Sequence, residues 1–150
     1  MTRTARAIIA GTAVSGTLDI LSAFAFSAMS GVTAGQVLRY VASGLFGDAM
    51  RQGGAVEAAI GLGVHYALMA IMVTVFTFAA LRIPAILRRP LLSGMLYGLI
   101  IYGVMYWIVT PLRFHVFPKA TLWGFGNALF SHLFCVGLSM GFVVSRILKR

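Results

Sequence analysis

The sequence predicts an all-α protein, a transmembrane four-helix bundle with one amphipathic helix lying at the outer interface. Three observations predict it. Of 150 residues, 60% are hydrophobic and only 10% charged, whereas a water-soluble domain carries about a quarter of its residues charged. Four apolar runs are long enough to cross a bilayer, since a helix needs about 20 residues to span roughly 30 Å of hydrocarbon. The basic residues punctuate the ends of those runs instead of filling one stripe or loop. Helices are the only spanning structure open to so short a chain, because every backbone polar group must be satisfied within the membrane.

The first span is expected over 7–29. Arg3 and Arg6 precede it, and Ala23-Phe24-Ala25 has the look of a leader-peptidase site. The stretch is long for a leader, however, and Asp19 interrupts it, so a retained first span is expected. Residues 33–52 follow. Val37, Leu38, Val41, Leu45, Ala49 and Met50 recur at helical spacing, with Arg39, Ser43, Asp48 and Arg51 on other faces. This predicts an amphipathic helix at the outer surface or folded back over the bundle. The second span covers 55–81. A short connector with Pro84, Pro90 and three arginines makes it an antiparallel hairpin with the third span, 91–111. A connector carrying Arg113, His115, Pro118 and Lys119 leads to the fourth span, 122–147. The chain reads as one integral membrane domain, 1–150.

Charge sets the direction. With both termini cytoplasmic, the inner side holds Arg3, Arg6, Arg82, Arg88, Arg89, Arg146, Lys149 and Arg150. The outer side holds Arg39, Arg51, Arg113 and Lys119, so the balance is eight to four. That asymmetry favours cytoplasmic ends, and Trp107 and Trp123 then fall at the outer interface. The net charge of +9 does not indicate nucleic acid, which would need the basic residues gathered into one footprint. The lone thiol, Cys135, can form no internal disulfide and reads as a small apolar side chain. The expected partner is the lipid bilayer, with a second copy or another membrane protein as a further one.

Inside the spans the polar residues are few and patterned. Thr12, Ser15, Asp19 and Ser22 step along one face of the first span. Asn127, Ser131, Cys135 and Ser139 repeat every fourth residue in the last, beside His132. Glu57, Gly61 and His65 do the same in the second, and Gly98, Tyr102 and Tyr106 share a side of the third. Such stripes must face protein or water. By helical rise Asp19 lies about 18 Å from the inner boundary and His65 about 15 Å from the outer one, with His132 at a similar depth. An ionised Asp alone at mid-bilayer costs about 3 kcal/mol or more. Asp19 is therefore expected to be paired, hydrogen-bonded or protonated, with His65 or His132 as its partner. Asn127, Ser15 and Tyr102 complete the proposed intramembrane cluster. Glu57, in a first helical turn, suits the helix dipole better than chemistry. Gly94-x-x-x-Gly98 and Gly137-x-x-x-Gly141 are expected helix-packing faces.

The stretches "GTLDI", "VASGLFG", "GLGVHYALMA", "LLSGMLYGLIIYGVMYWIVTPL" and "SHLFCVGLSMG" together resemble an uncharacterised family of small four-span bacterial inner-membrane proteins, distantly similar to YagU-type proteins. The resemblance covers most of the chain and implies a four-span fold, an inner-membrane location and a loose association with acid tolerance. It supplies no reaction. The family pattern has proline after the last "VGL" and asparagine after "VM", where this chain has Ser139 and Tyr106.

The function expected first is transport or sensing of protons, ions or a small solute through Asp19, His65 and His132. The alternative is a structural or accessory subunit that docks a partner or lipid, with the Asp–His contact fixing helix register. A further alternative is a haem protein with His65 and His132 as axial ligands, since bundle cores host cofactors. An enzyme is not expected. The sequence has no nucleophile elbow, H-E-x-x-H spacing or phosphate loop, and only three acidic residues.

Overall fold

The computed structural model describes residues 1–115 and 121–149. Pro118, Lys119 and Arg150, which entered the connector and the charge balance above, lie outside the described residues. Within them the chain is helical and without strands. The helices are α1 (Arg3–Ala28), α2 (Ala34–Phe46), α3 (Ala55–Arg82), α4 (Pro84–Arg88), α5 (Pro90–Phe114) and α6 (Leu122–Leu148). Four of them, α1, α3, α5 and α6, are long and apolar enough to cross a membrane.

Local chemistry fixes the helix ends. Thr2 Oγ1 accepts from the Ala5 N–H at 3.2 Å and opens α1. Thr33 and Gln36 form a reciprocal capping box at the start of α2, which satisfies two otherwise orphaned donors. The Glu57 carboxylate accepts from the Gly54 N–H at 2.6 Å and caps α3. Pro84 and Pro90 stand at first-turn positions, where a missing N–H costs nothing. The amphipathic helix expected over 33–52 is shorter. It stops at Gly47, whose φ of 96° is natural only to glycine, and a 3₁₀ turn over Asp48–Gln52 follows.

Two long helices carry π-helical segments, Met105–Val109 in α5 and Ser131–Leu138 in α6. The first lies just ahead of Pro111. Proline supplies no N–H and crowds the preceding turn, and a locally wider helix relieves both problems. Thr110 Oγ1 also donates to the Met105 carbonyl at 2.8 Å. The span expected to stop at 111 therefore runs on to Phe114 and ends at His115, which adopts the left-handed conformation. In α6 side chains compete for backbone acceptors. His132 Nδ1 takes the Ala128 carbonyl at 2.8 Å, and the Ser139 hydroxyl bonds the Cys135 carbonyl.

The four long helices run alternately up and down. Along α1, Gly11, Ser15, Ser22 and Phe26 meet Val144, Ser139, Ser131 and Trp123 of α6 in reverse order. Against α3, Gly11 meets Val73 and Thr17 meets Tyr66. The α5–α6 pair is the tightest. Gly94 and Gly98 press backbone to backbone on Gly137 and Gly141, and a Cβ on any of the four would strike the facing main chain. Small residues permit this close approach, which is what associates helices in lipid. Tyr97 Oη donates to the Met72 carbonyl at 3.0 Å and ties α5 to α3.

The core lies in the half of the bundle nearer the termini and comprises Ala7, Met69, Val73, Phe76, Ile101, Val136, Met140 and Val144. Between 22% and 50% of each long helix's apolar window is buried in the fold. Much of the remaining apolar surface, including Ile9, Leu21, Ile71, Val75, Leu96, Ile100 and Phe142, faces outward. An apolar belt of this extent marks a surface that water does not cover. At the far end α2 packs across α3 where Gly61 meets the Leu38 backbone. There the Arg113 guanidinium donates to the Ser43 and Gly44 carbonyls at 2.5 and 2.9 Å. Asp48 lies 3.5 Å from Arg113 and 3.3 Å from Arg51. Tyr40 stacks on Phe114 at 4.7 Å with Arg51 over its ring. Burial pushes the Tyr40 phenol up, against the pull of Arg51 and Arg113.

Candidate functional site

Between α1, α5 and α6, at the end carrying α2, lies an open cleft of about 620 Å³. Its position follows from the glycine seam. The α5 and α6 backbones touch from Gly94 to Gly98. Beyond Gly98 the facing residues are Tyr102, Tyr106, Phe125 and His132, whose rings hold the helices apart. Tyr102 stacks on Tyr106 at 5.0 Å and meets Phe125 edge-on at 5.8 Å. The His132 imidazole sits edge-on to both tyrosines, at 5.8 and 5.6 Å. Phe26, Trp107 and Trp123 continue the aromatic wall toward the mouth, and Asn127 and Ser131 add polar groups. On α1 its lining begins at Asp19, and the buried core lies toward the termini.

Asp19 lines this cleft. Its neighbours on α1 are otherwise engaged. Ser15 is fully buried and its hydroxyl lies 3.0 Å from that of Ser139, while the Ser22 and Ser131 hydroxyls are 2.8 Å apart. Among the described residues, no hydrogen bond or ion pair reaches the Asp19 carboxylate, although both His132 and His65 stand within Coulombic range of it.

The direct Asp19–His pairing expected from the sequence is therefore not formed. His65 is buried and its Nε2 donates across to the Gly16 carbonyl of α1 at 2.9 Å. His132 Nδ1 donates to Ala128 within its own helix, which leaves Nε2 free as an acceptor. Depth is the physical reason. His65 is level with Gly16. His132 is level with Ser22, because the adjacent Ser131 bonds that serine. At 1.5 Å of rise per residue, each imidazole is displaced by about 4.5 Å along α1 from Asp19, in opposite directions.

Of the residues proposed from the sequence, the cleft gathers Asp19, His132, Asn127 and Tyr102. Ser15 and His65 lie behind it in helix–helix contacts. The glycines form the seam that sets its depth. A haem ligated by both imidazoles does not fit, since His65 is committed to Gly16 and does not line the space that His132 borders. Sequence reasoning missed the aromatic wall. Phe26 and Phe125 were given no role, and Trp107 and Trp123 were assigned to the membrane interface. The signal was the crowding of Tyr102, Tyr106, Trp107, Trp123 and Phe125 into the adjoining ends of two successive spans.

No family model, curated protein or solved structure matches the chain.

Proposed function

We propose that this is a multi-pass protein of a bacterial inner membrane, with both termini cytoplasmic, which takes up a proton or a small solute at Asp19 for transport or sensing. The observation that carries this reading is the Asp19 carboxylate, which faces an open cleft without a protein partner while lying deep in an apolar helix. A carboxylate held at such depth is costly, and a purely structural one would use its oxygens to bind a neighbouring helix. Orientation is supported by the basic residues. Arg3, Arg6, Arg82, Arg88, Arg89, Arg146 and Lys149 belong to the end with the termini, and Arg39, Arg51 and Arg113 to the α2 end. That balance favours a periplasmic mouth for the cleft. Kinship with YagU-type proteins, inferred from sequence motifs, is part of the same proposal.

The test is reconstitution in liposomes. Wild type is expected to show proton-linked flux, or a pH-dependent change in tryptophan emission if it senses. Asp19→Asn, which preserves shape and removes the titration, is expected to abolish it. An identical response from both proteins refutes the proposal.

A further inference from the structure

The composition of the cleft wall narrows what can occupy it, given the preceding proposal that Asp19 is the working group. The chain has 12 Lys and Arg against three acidic residues. Yet among the described residues none of those basic side chains lines the cleft, and Asp19 does. The site therefore has the opposite charge bias from the molecule, and it suits a cation.

An inorganic divalent ion does not match these ligands. Calcium takes six to eight oxygens and magnesium a near-ideal octahedron. Among the described residues no group of three or more His, Cys, Asp or Glu side chains is placed to hold a metal. Six aromatic side chains, Phe26, Tyr102, Tyr106, Trp107, Trp123 and Phe125, line the cleft instead. Ring faces attract cations, and most effectively those whose charge is diffuse and weakly hydrated. The volume of about 620 Å³ falls within the roughly 300–1,000 Å³ of sites that take drug-sized molecules. We propose that the cleft binds a monovalent lipophilic organic cation, quaternary or aromatic, with its charge toward Asp19 and its apolar body among the rings.

The molecule supplies its own reporter. Its two tryptophans, Trp107 and Trp123, both line the cleft. The full-length protein in mild detergent is titrated with tetraphenylphosphonium and, separately, with tetraphenylborate, which has nearly the same shape and the opposite charge. Tetraphenylphosphonium should quench tryptophan emission saturably, while tetraphenylborate should show only the linear quenching of micelle partitioning. Asp19→Asn should weaken the phosphonium by about tenfold or more, the equivalent of one charge-assisted contact. Tyr106→Leu, which keeps the carboxylate, should weaken it by about threefold, one cation–π contact. Equal titrations for the two ions, or an affinity indifferent to both substitutions, overturn the proposal.

The two proposals fail separately. If Asp19→Asn abolishes the liposome response while the phosphonium does not saturate, the organic cation is excluded and Asp19 remains the working group. If phosphonium binding depends on Asp19 while no flux or pH response exists, the site is a cation receptor and the transport or sensing role falls.

Discussion

Alanine at Gly98 tests the seam on which the cleft rests. A Cβ there would lie 3.0 Å from the His132 carbonyl carbon and 3.1 Å from Gly137 Cα, and would collide with the His132 carbonyl oxygen. All three are main-chain atoms, so no rotamer change can yield and the helices must separate. Overpacking of this kind costs about 1–3 kcal/mol. Gly103, five residues on in the same helix, has no atom within 4 Å of the corresponding Cβ. Gly103→Ala should therefore only restrict the unfolded chain and gain about 0.5–1 kcal/mol. The pair controls for helix propensity, since both residues lie in α5 and undergo the same substitution. Unfolding in bicelles by titrated dodecyl sulfate, followed by circular dichroism, should order the proteins as Gly103→Ala, wild type, Gly98→Ala. Because the displaced backbone carries His132, Gly98→Ala should also shift tryptophan emission from the cleft. A Gly98→Ala protein as resistant as Gly103→Ala would refute the seam.

Two further substitutions probe the periphery of the bundle and its buried polar groups. Arg113→Gln removes the fork that holds the Ser43 and Gly44 carbonyls. It should raise hydrogen exchange across α2 by about tenfold, as expected when charge-assisted bonds are lost, and unchanged exchange would show that α2 is held by its packing on α3 alone. Thr77 is fully buried, and among the described residues its hydroxyl has no hydrogen-bond partner. Thr77→Val keeps the shape and removes the unsatisfied oxygen, so the protein should gain about 1 kcal/mol in the same unfolding assay. A loss of stability would mean that the hydroxyl is bonded.

The long helices were legible because their signals are local. A run of 20 or more apolar residues has few alternatives, and Glu57 marks the first turn of α3. The break in α2 at Gly47 was not foreseen, because the apolar spacing carries on through Ala49 and Met50. Polar stripes showed which faces turn inward, since Ser15, Asp19 and Ser22 share a face whatever they touch. What stayed hidden was how the helices are offset along their axes. A depth uncertainty of a few residues is small for a span but decisive for a pair. It is why Asp19 and the two histidines looked level and are staggered. The π segments were hidden for a related reason, because face assignment by a 3.6-residue period fails where a turn takes an extra residue. Pro111 looked like a terminator, and the widened turn ahead of it lets the helix continue.

The packed core of Val136, Met140, Val73 and Phe76 fills the half of the bundle nearer the termini, while the cleft lies at the end that carries α2. A guest beside Asp19 meets close-packed side chains toward the end that carries the termini. Passage to that end would require the interlocked glycine ridges of α5 and α6 to slide. The proposed transport role therefore carries a structural demand that the sensing role does not.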